Sequence, residues 1–205
     1  MSNDPPEKMI QNYTLHPNPQ WPQAEAIPSV TVNCDFSPDC LNFCFEVREP
    51  AECFRCECHQ NGQPCWQDSC AEIFLNSPAH GGYYNFECNS AGFCLAEFGQ
   101  SRAPRRQFAR EQYDLFRRRV LIPPESGSVT LHWMISIEIP RSLIGLGPDD
   151  LICGNLYKCA SNAQIPHYLS AFPIRTERPD FHRPEFFQTM GGGVLPQAIA
   201  DARQP

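Results

Sequence analysis

The chain has 205 residues, and its 16 Lys and Arg against 23 Asp and Glu leave a formal charge of −7. With 41% hydrophobic, 19% charged and 11% aromatic residues, it has enough apolar surface to offset chain entropy, which excludes wholesale disorder and predicts one globular domain with loose ends. No apolar run reaches the roughly eighteen residues of a membrane span, and the acidic balance argues against general nucleic-acid binding, which needs clustered Lys and Arg. The opening MSNDPPEKMI has neither a basic n-region nor an apolar h-region. The expectation is therefore a cytoplasmic protein, or a periplasmic or secreted one if this start is trimmed or misplaced.

In chain order, Pro5, Pro6, Pro17, Pro19, Pro22 and Pro28 forbid regular helix and disfavour central strands. An extended arm is expected over 1–20, wrapping a domain over 21–189. Alternation then predicts strands at Val30 and Val32, and at Leu41, Phe43, Phe45 and Val47 with Asn42, Glu46 and Arg48 on the other face. Further strands are expected at Phe54–Cys58, at Ala71, Ile73 and Leu75, at Tyr84, Phe86 and Cys88, and in FCLAEF after Gly92. The clearest runs through Val129, Leu131, Trp133, Ile135, Ile137 and Ile139 to Pro140, and GNLYKC follows the Gly147-Pro148 turn. Only Gln107–Val120 offers helical spacing, with Ala109, Tyr113, Phe116 and Val120. The fold class is thus all-β, an antiparallel two-sheet β-sandwich with at most one short helix. The stretch 190–205, with its glycine triplet, is expected to be a flexible tail.

Cysteine is unusually frequent, with 12 in the chain, and three readings compete. Disulfides fit an oxidising compartment, for which no export signal is written. CFRCECHQNGQPC, with Cys53, Cys56, Cys58, His59 and Cys65, has spacings suited to zinc. Period-two reading instead places Phe54, Cys56 and Cys58 on one face and His59 on the other, with cysteine serving as a small hydrophobe. Reduced, metal-free cysteines are expected.

Common catalytic signatures are absent: there is no G-x-S-x-G and no G-x-x-x-x-G-K. Paired carboxylates can hydrolyse glycosides, and Glu72 with Glu87 on neighbouring strands is the candidate pair. No carboxylate pair is expected to share one cleft at the separation of about 5 to 10 Å that such enzymes use. The Arg-rich SRAPRRQFAREQYDLFRRR reads as a solvated face, or as a contact for phosphate or acidic sugar.

Two blocks carry a resemblance. CWQDSCAEIFLNSPAHGGYYNFECNSAGFCLAEFG (65–99) and GNLYKCASNAQIPHYLSAFPIRTERPDFHRPEFF (154–187), with IEIPRSLIG between them and Trp21 before them, resemble the family 9 carbohydrate-binding modules, and more closely the family 9-like proteins of gut anaerobes. Shared patterns are W-x-D-S-x-x-E-x-F, Y-N-F-E and a closing D-F-H-R-P-E. The resemblance implies a DOMON-like sandwich that binds sugars between two tryptophans, frequently holds structural calcium, and is not an enzyme.

By that resemblance Trp66 matches the first aromatic platform, an indole face for the C–H face of a pyranose. Glu72 matches the acid that accepts hydroxyl hydrogen bonds. Asn85 and Arg102 are candidate hydroxyl donors. The second platform departs from the pattern, because Ala171 stands where similar proteins carry Trp. Phe172 or Tyr168 is the expected substitute wall. His182, Arg183 and Glu185 in the closing motif are expected to make structural hydrogen bonds at the sandwich edge.

The reading is non-catalytic carbohydrate binding in polysaccharide or oligosaccharide use, with no partner nucleic acid or membrane. Its alternatives are a glycoside hydrolase using Glu72 and Glu87, and a protein-interaction sandwich that has lost its sugar through Ala171. Because some DOMON-like domains bind haem through Met and His, a haem domain is a further alternative, although His132 and Met134 at i and i+2 on one strand face cannot straddle one haem.

Overall fold

The computed structural model describes residues 9–21, 27–125 and 127–191; the tail beyond 191 lies outside them. Thirteen strands are present among these residues: β1 (Met9–Thr14), β2 (His16–Pro17), β3 (Ser29–Phe36), β4 (Cys40–Pro50), β5 (Cys70–Ser77), β6 (Gly82–Asn89), β7 (Cys94–Gly99), β8 (Arg106–Gln107), β9 (Arg117–Ile122), β10 (Thr130–Pro140), β11 (Ile152–Cys159), β12 (Tyr168–Ser170) and β13 (Gln188–Gly191). They form two antiparallel sheets, β1-β3-β4-β10-β9 and β2-β12-β11-β5-β6-β7-β8, with β13 also pairing β11. The all-β sandwich is as the alternation predicted.

The first sheet obeys simple alternation. Along β10, Leu131, Trp133, Ile135, Ile137 and Ile139 are buried while His132, Met134, Ser136 and Glu138 face outward. They meet Leu41, Phe43, Phe45 and Val47 of β4 and, from the second sheet, Ala71, Ile73, Leu75, Phe86 and Leu156. Burying such a layer is the main favourable term in folding, at about 25 cal/mol per Å² of apolar surface.

The second sheet is buried on both faces. On its far side Cys70, Phe74, Tyr83, Tyr157 and Cys159 pack with Trp21, Cys58, Cys65, Ile174 and Phe181. Loops before β5 and after β12 cover that face.

Two expectations change, and one is made more specific. Residues 9–17 are extended, with β1 adding to the edge of the first sheet and β2 to the edge of the second. Pro17 is tolerated there because an edge strand need not donate a ladder hydrogen bond. Phe54–Cys58 is not a strand. Its backbone donors are satisfied outside any ladder: Phe54 N donates to Ala51 O, Arg55 N to Ser69 Oγ, and Asp68 Oδ2 accepts from the N–H of Glu57 at 3.0 Å and of Cys58 at 2.7 Å, and from Asn89 at 3.1 Å. Burial pushes the Asp68 carboxyl up, but these donors and Arg55 outweigh it and hold it below the ordinary value.

Gln107–Val120 is not an α-helix. Arg110–Asp114 forms a 3-10 turn and Arg117–Ile122 becomes β9, which pairs with β10. The long, fully apolar inner face of β10 needs a partner on this side, and that tertiary demand overrides a weak helical pattern. Arg118 lies over the Phe116 ring at 4.6 Å, so this part of the Arg-rich stretch packs on aromatic faces.

A polar cluster bridges the sheets. Lys158 on β11 and Glu49 on β4 are fully buried, with Nζ to Oε2 at 3.0 Å. Trp133 Nε1 donates to Glu49 Oε1 at 2.6 Å, and Lys158 Nζ donates to His167 Nε2 at 2.7 Å. Burial, and then Lys158, lower the His167 pKa to about 2, so the ring is neutral and accepts.

His132 and Met134, the haem candidates, sit on the outward face of β10, and His132 Nε2 lies 3.0 Å from Glu46 Oε1. Among the described residues no three His, Cys, Asp or Glu side chains converge so as to hold a metal ion. No three of Cys53, Cys56, Cys58, His59 and Cys65 thus converge as a zinc site requires. Cys88 and Cys94 are register partners facing the core, with sulfurs 3.0 Å apart.

Candidate functional site

A cleft of about 280 Å³ opens over the outer face of the second sheet. Its floor is built by period-two alternation. With Ala71, Ile73 and Leu75 turned to the inter-sheet core, Glu72 and Phe74 face the cleft; on β6 Glu87 does the same, and on β7 Leu95 and Glu97. Cys159 of β11 and Tyr168 of β12, which are register partners, complete it.

Trp66 stands on a 3-10 turn, Cys65–Gln67, just before β5. Buried Cys65 anchors the turn. The Trp66 carbonyl accepts from Ser161 N at 3.2 Å and lies 3.1 Å from Cys159 Sγ, while Gln67 O accepts from Asn162 N at 3.1 Å. The backbone is therefore held to the end of β11 while the indole stays 40% exposed; Trp21 and Trp133 are buried at 3% and 0%.

Glu72 is 2% exposed, with Oε1 2.8 Å from Cys159 Sγ. Burial, and then Cys159, raise its pKa well above the carboxyl range. Glu87 is directly opposite Glu72 in register. Burial, and then Glu72, push it up as well. Two carboxyls thus line one cleft side by side. Antiparallel register put them together: partners on adjacent strands have Cα atoms only about 4.5–5.5 Å apart.

Asn85 is fully buried and does not line the cleft. Its Oδ1 accepts from Arg105 Nε at 3.0 Å and Nη2 at 2.7 Å, and its Nδ2 donates to Glu87 Oε1 at 2.8 Å. Asn85 thus orients a guanidinium and a carboxyl that do reach the cleft. Arg105 also donates to the carbonyls of Tyr83 and Ser101 and lies 4.2 Å over the Tyr83 ring. Arg102 lines the cleft with an exposed side chain paired to Asp180 at 2.9 Å.

The closing motif supplies the rest of the wall. Phe181 stacks on Tyr157 with ring centroids 4.1 Å apart, and Tyr168 meets it edge-on at 6.1 Å. His182 Nδ1 lies 3.0 Å from the Tyr83 hydroxyl. Burial, then Arg105 and Arg102, lower the His182 pKa to about 3, so the ring is neutral.

Of the candidates named from sequence, Trp66, Glu72, Arg102 and Tyr168 line the cleft. Phe172 does not: its backbone is clasped by Asn155, and its ring meets Tyr13 edge-on at 5.7 Å. Ala171 packs with it against the inter-sheet core, so the matched tryptophan position does not face the cleft either. Sequence reading missed Arg105 and Glu97, and placed Phe181 and His182 only at an edge. The Y-N-F-E strand held a signal for Glu87, since its alternation with Phe86 puts it on the same face as Glu72 once β5 and β6 pair.

The family model described as carbohydrate-binding family 9 matches residues 9–191. A protein from Bacteroides uniformis ATCC 8492, assigned as carbohydrate-binding and solved by crystallography at 2.70 Å, has a TM-score of 0.77 to this chain at 29% identity, covering 88% of this chain and 85% of its own. A family 9 module from Caldicellulosiruptor kristjanssonii, solved in complex with cellotriose, gives a TM-score of 0.50 at 11% identity over 80% of this chain and 73% of that one, a likeness of fold. Among curated proteins none matches.

Proposed function

The chain belongs to carbohydrate-binding family 9, and we propose that it binds the end of an oligosaccharide or polysaccharide in the cleft beside Trp66, without catalysis. Trp66 offers the apolar face against which a pyranose ring stacks, and Glu72 hydrogen-bonds its hydroxyls. Tyr168 and Phe181 stand in for the second tryptophan wall as the aromatic surface on the far part of the same cleft. The observation that carries this reading is the exposed indole beside a concentration of oriented polar groups, the usual composition of a small-ligand site. The cleft is at the small end of ligand pockets, which start at roughly 300 Å³, and that favours a terminal sugar over a long internal stretch of chain.

A glycan array followed by calorimetry tests the reading. Trp66→Ala should weaken the strongest ligand by about 2 kcal/mol, roughly thirtyfold, as truncation of an aromatic anchor commonly does. An unchanged affinity would mean that the sugar lies elsewhere.

A further inference from the structure

We propose that the floor of the cleft selects an amino sugar, a 2-amino-2-deoxyhexose whose ammonium group sits between Glu72 and Glu87; this rests on the carbohydrate reading above. Glu87 lines the cleft and is 3% exposed, yet its Oε2 has no hydrogen-bond partner. Its other oxygen is taken by Asn85. Across the register, among the described residues, Glu72 has only the Cys159 thiol within hydrogen-bonding distance. Glu97, on the next strand, lines the same cleft and lies 3.5 Å from Arg105 Nε.

The cations near this floor are committed elsewhere. Arg105 serves Asn85, two carbonyls and, at 3.5 Å, Glu97, and Arg102 is paired with Asp180. Lys158 points to the other face of the sheet, to Glu49 and His167. His182 is neutral. Among the described residues no Lys, Arg or His is ion-paired with Glu72 or Glu87, although Arg105 lines the same cleft and favours the charged form of Glu87.

The choice of residue type matters here. Glutamine would offer a sugar hydroxyl both a donor and an acceptor without the cost of burying a charge. A glutamate pair gains over glutamine only when it ionises opposite a cation, and a charge-assisted hydrogen bond is about twice as strong as a neutral one. An arriving ammonium would supply that cation, so binding should release protons from the pair into solvent. The groups governing this titration are Glu72, Glu97, Asn85 and Arg105 around Glu87, with Cys159 and Lys158 nearest Glu72.

Calorimetry at mildly acid pH on three pairs, glucosamine with glucose, galactosamine with galactose and mannosamine with mannose, tests the proposal. At least one amino sugar should bind about tenfold or more tightly than its parent, with proton release measured from two buffers of different ionisation enthalpy. N-acetylation of that amino sugar, which removes the charge, should abolish the preference in the unmodified protein. Glu87→Gln should abolish both the preference and the proton release. Neutral parents binding as tightly as all three amino sugars would overturn this inference and leave the carbohydrate reading standing, as would a preference that survives Glu87→Gln. Binding of none of the six, and of nothing on the glycan array, would overturn both.

Discussion

Cys159 Sγ lies 2.8 Å from Glu72 Oε1 and, from the same position, reaches the carbonyl of Trp66. One thiol therefore ties together the platform and the carboxyl on which the sugar reading depends. Cys159→Ala should lower stability by about 1–2 kcal/mol, through a small cavity and a lost hydrogen bond, and should weaken sugar binding several-fold. Cys159→Ser, which keeps a donor, should bind within about twofold of the unmodified protein. Chemical denaturation and calorimetry on both variants check this; equal losses in the two would mean that packing alone matters.

Stability should fall on both sides of neutrality-to-acid pH, for opposite reasons. His167 and His182 are held at about 2 and about 3 against an ordinary 6.5. The unfolded chain therefore takes up protons that the folded chain refuses, and stability drops as pH falls below 6.5. Glu72 and Glu87 are raised above 4.5; the folded chain keeps protons that the unfolded chain has released, so their effect lowers stability as pH rises from 4.5 through their raised values. In melting curves against pH, His182→Gln should flatten the acid limb and Glu87→Gln the upper limb. A variant that leaves its own limb unchanged would refute the assignment.

The buried bridge between the sheets should be costly to break. Lys158→Met leaves Glu49 without its cation and His167 without its donor, and should destabilise the fold by about 3–5 kcal/mol. Urea unfolding measures it. A loss below about 1 kcal/mol, the range of exposed pairs, would show that the pair is not as dry as its burial indicates.

No turnover of aryl glycosides is expected, although Glu72 and Glu87 share the cleft. Retaining and inverting glycosidases alike need one carboxylate ionised while the other acts as acid, flanking the scissile bond. Here both lie side by side on adjacent strands of one floor, and burial pushes both toward the protonated form. Steady release of a chromogenic aglycone that Glu72→Gln or Glu87→Gln abolishes would overturn the non-catalytic reading.

Alternation by itself determined the sandwich. Wherever one strand face is packed and the other is wet, as along Leu131 to Ile139, period two is written in the residues and both the strand and its inward face can be read. The sequence motifs also carried the family, and with it Trp66 and Glu72. Only the tertiary structure decided the rest. The strands β5, β6 and β11 were legible from their alternating or turn-bounded apolar residues, but that the second sheet is buried on both faces, its polar side included, was not. Phe54–Cys58 alternates like a strand, but its donors go to Ala51, Ser69 and Asp68 instead of a neighbouring strand, and an irregular segment held by such local partners has no period to read. Phe172 and Ala171 lie next to a motif of the cleft, yet Asn155 clasps their loop toward the core. Glu87 meets Glu72 because β6 pairs with β5 in one register; a shift of a single residue would turn every side chain to the other face. Register and loop direction arise from contacts between distant segments, and local residue pattern does not encode them.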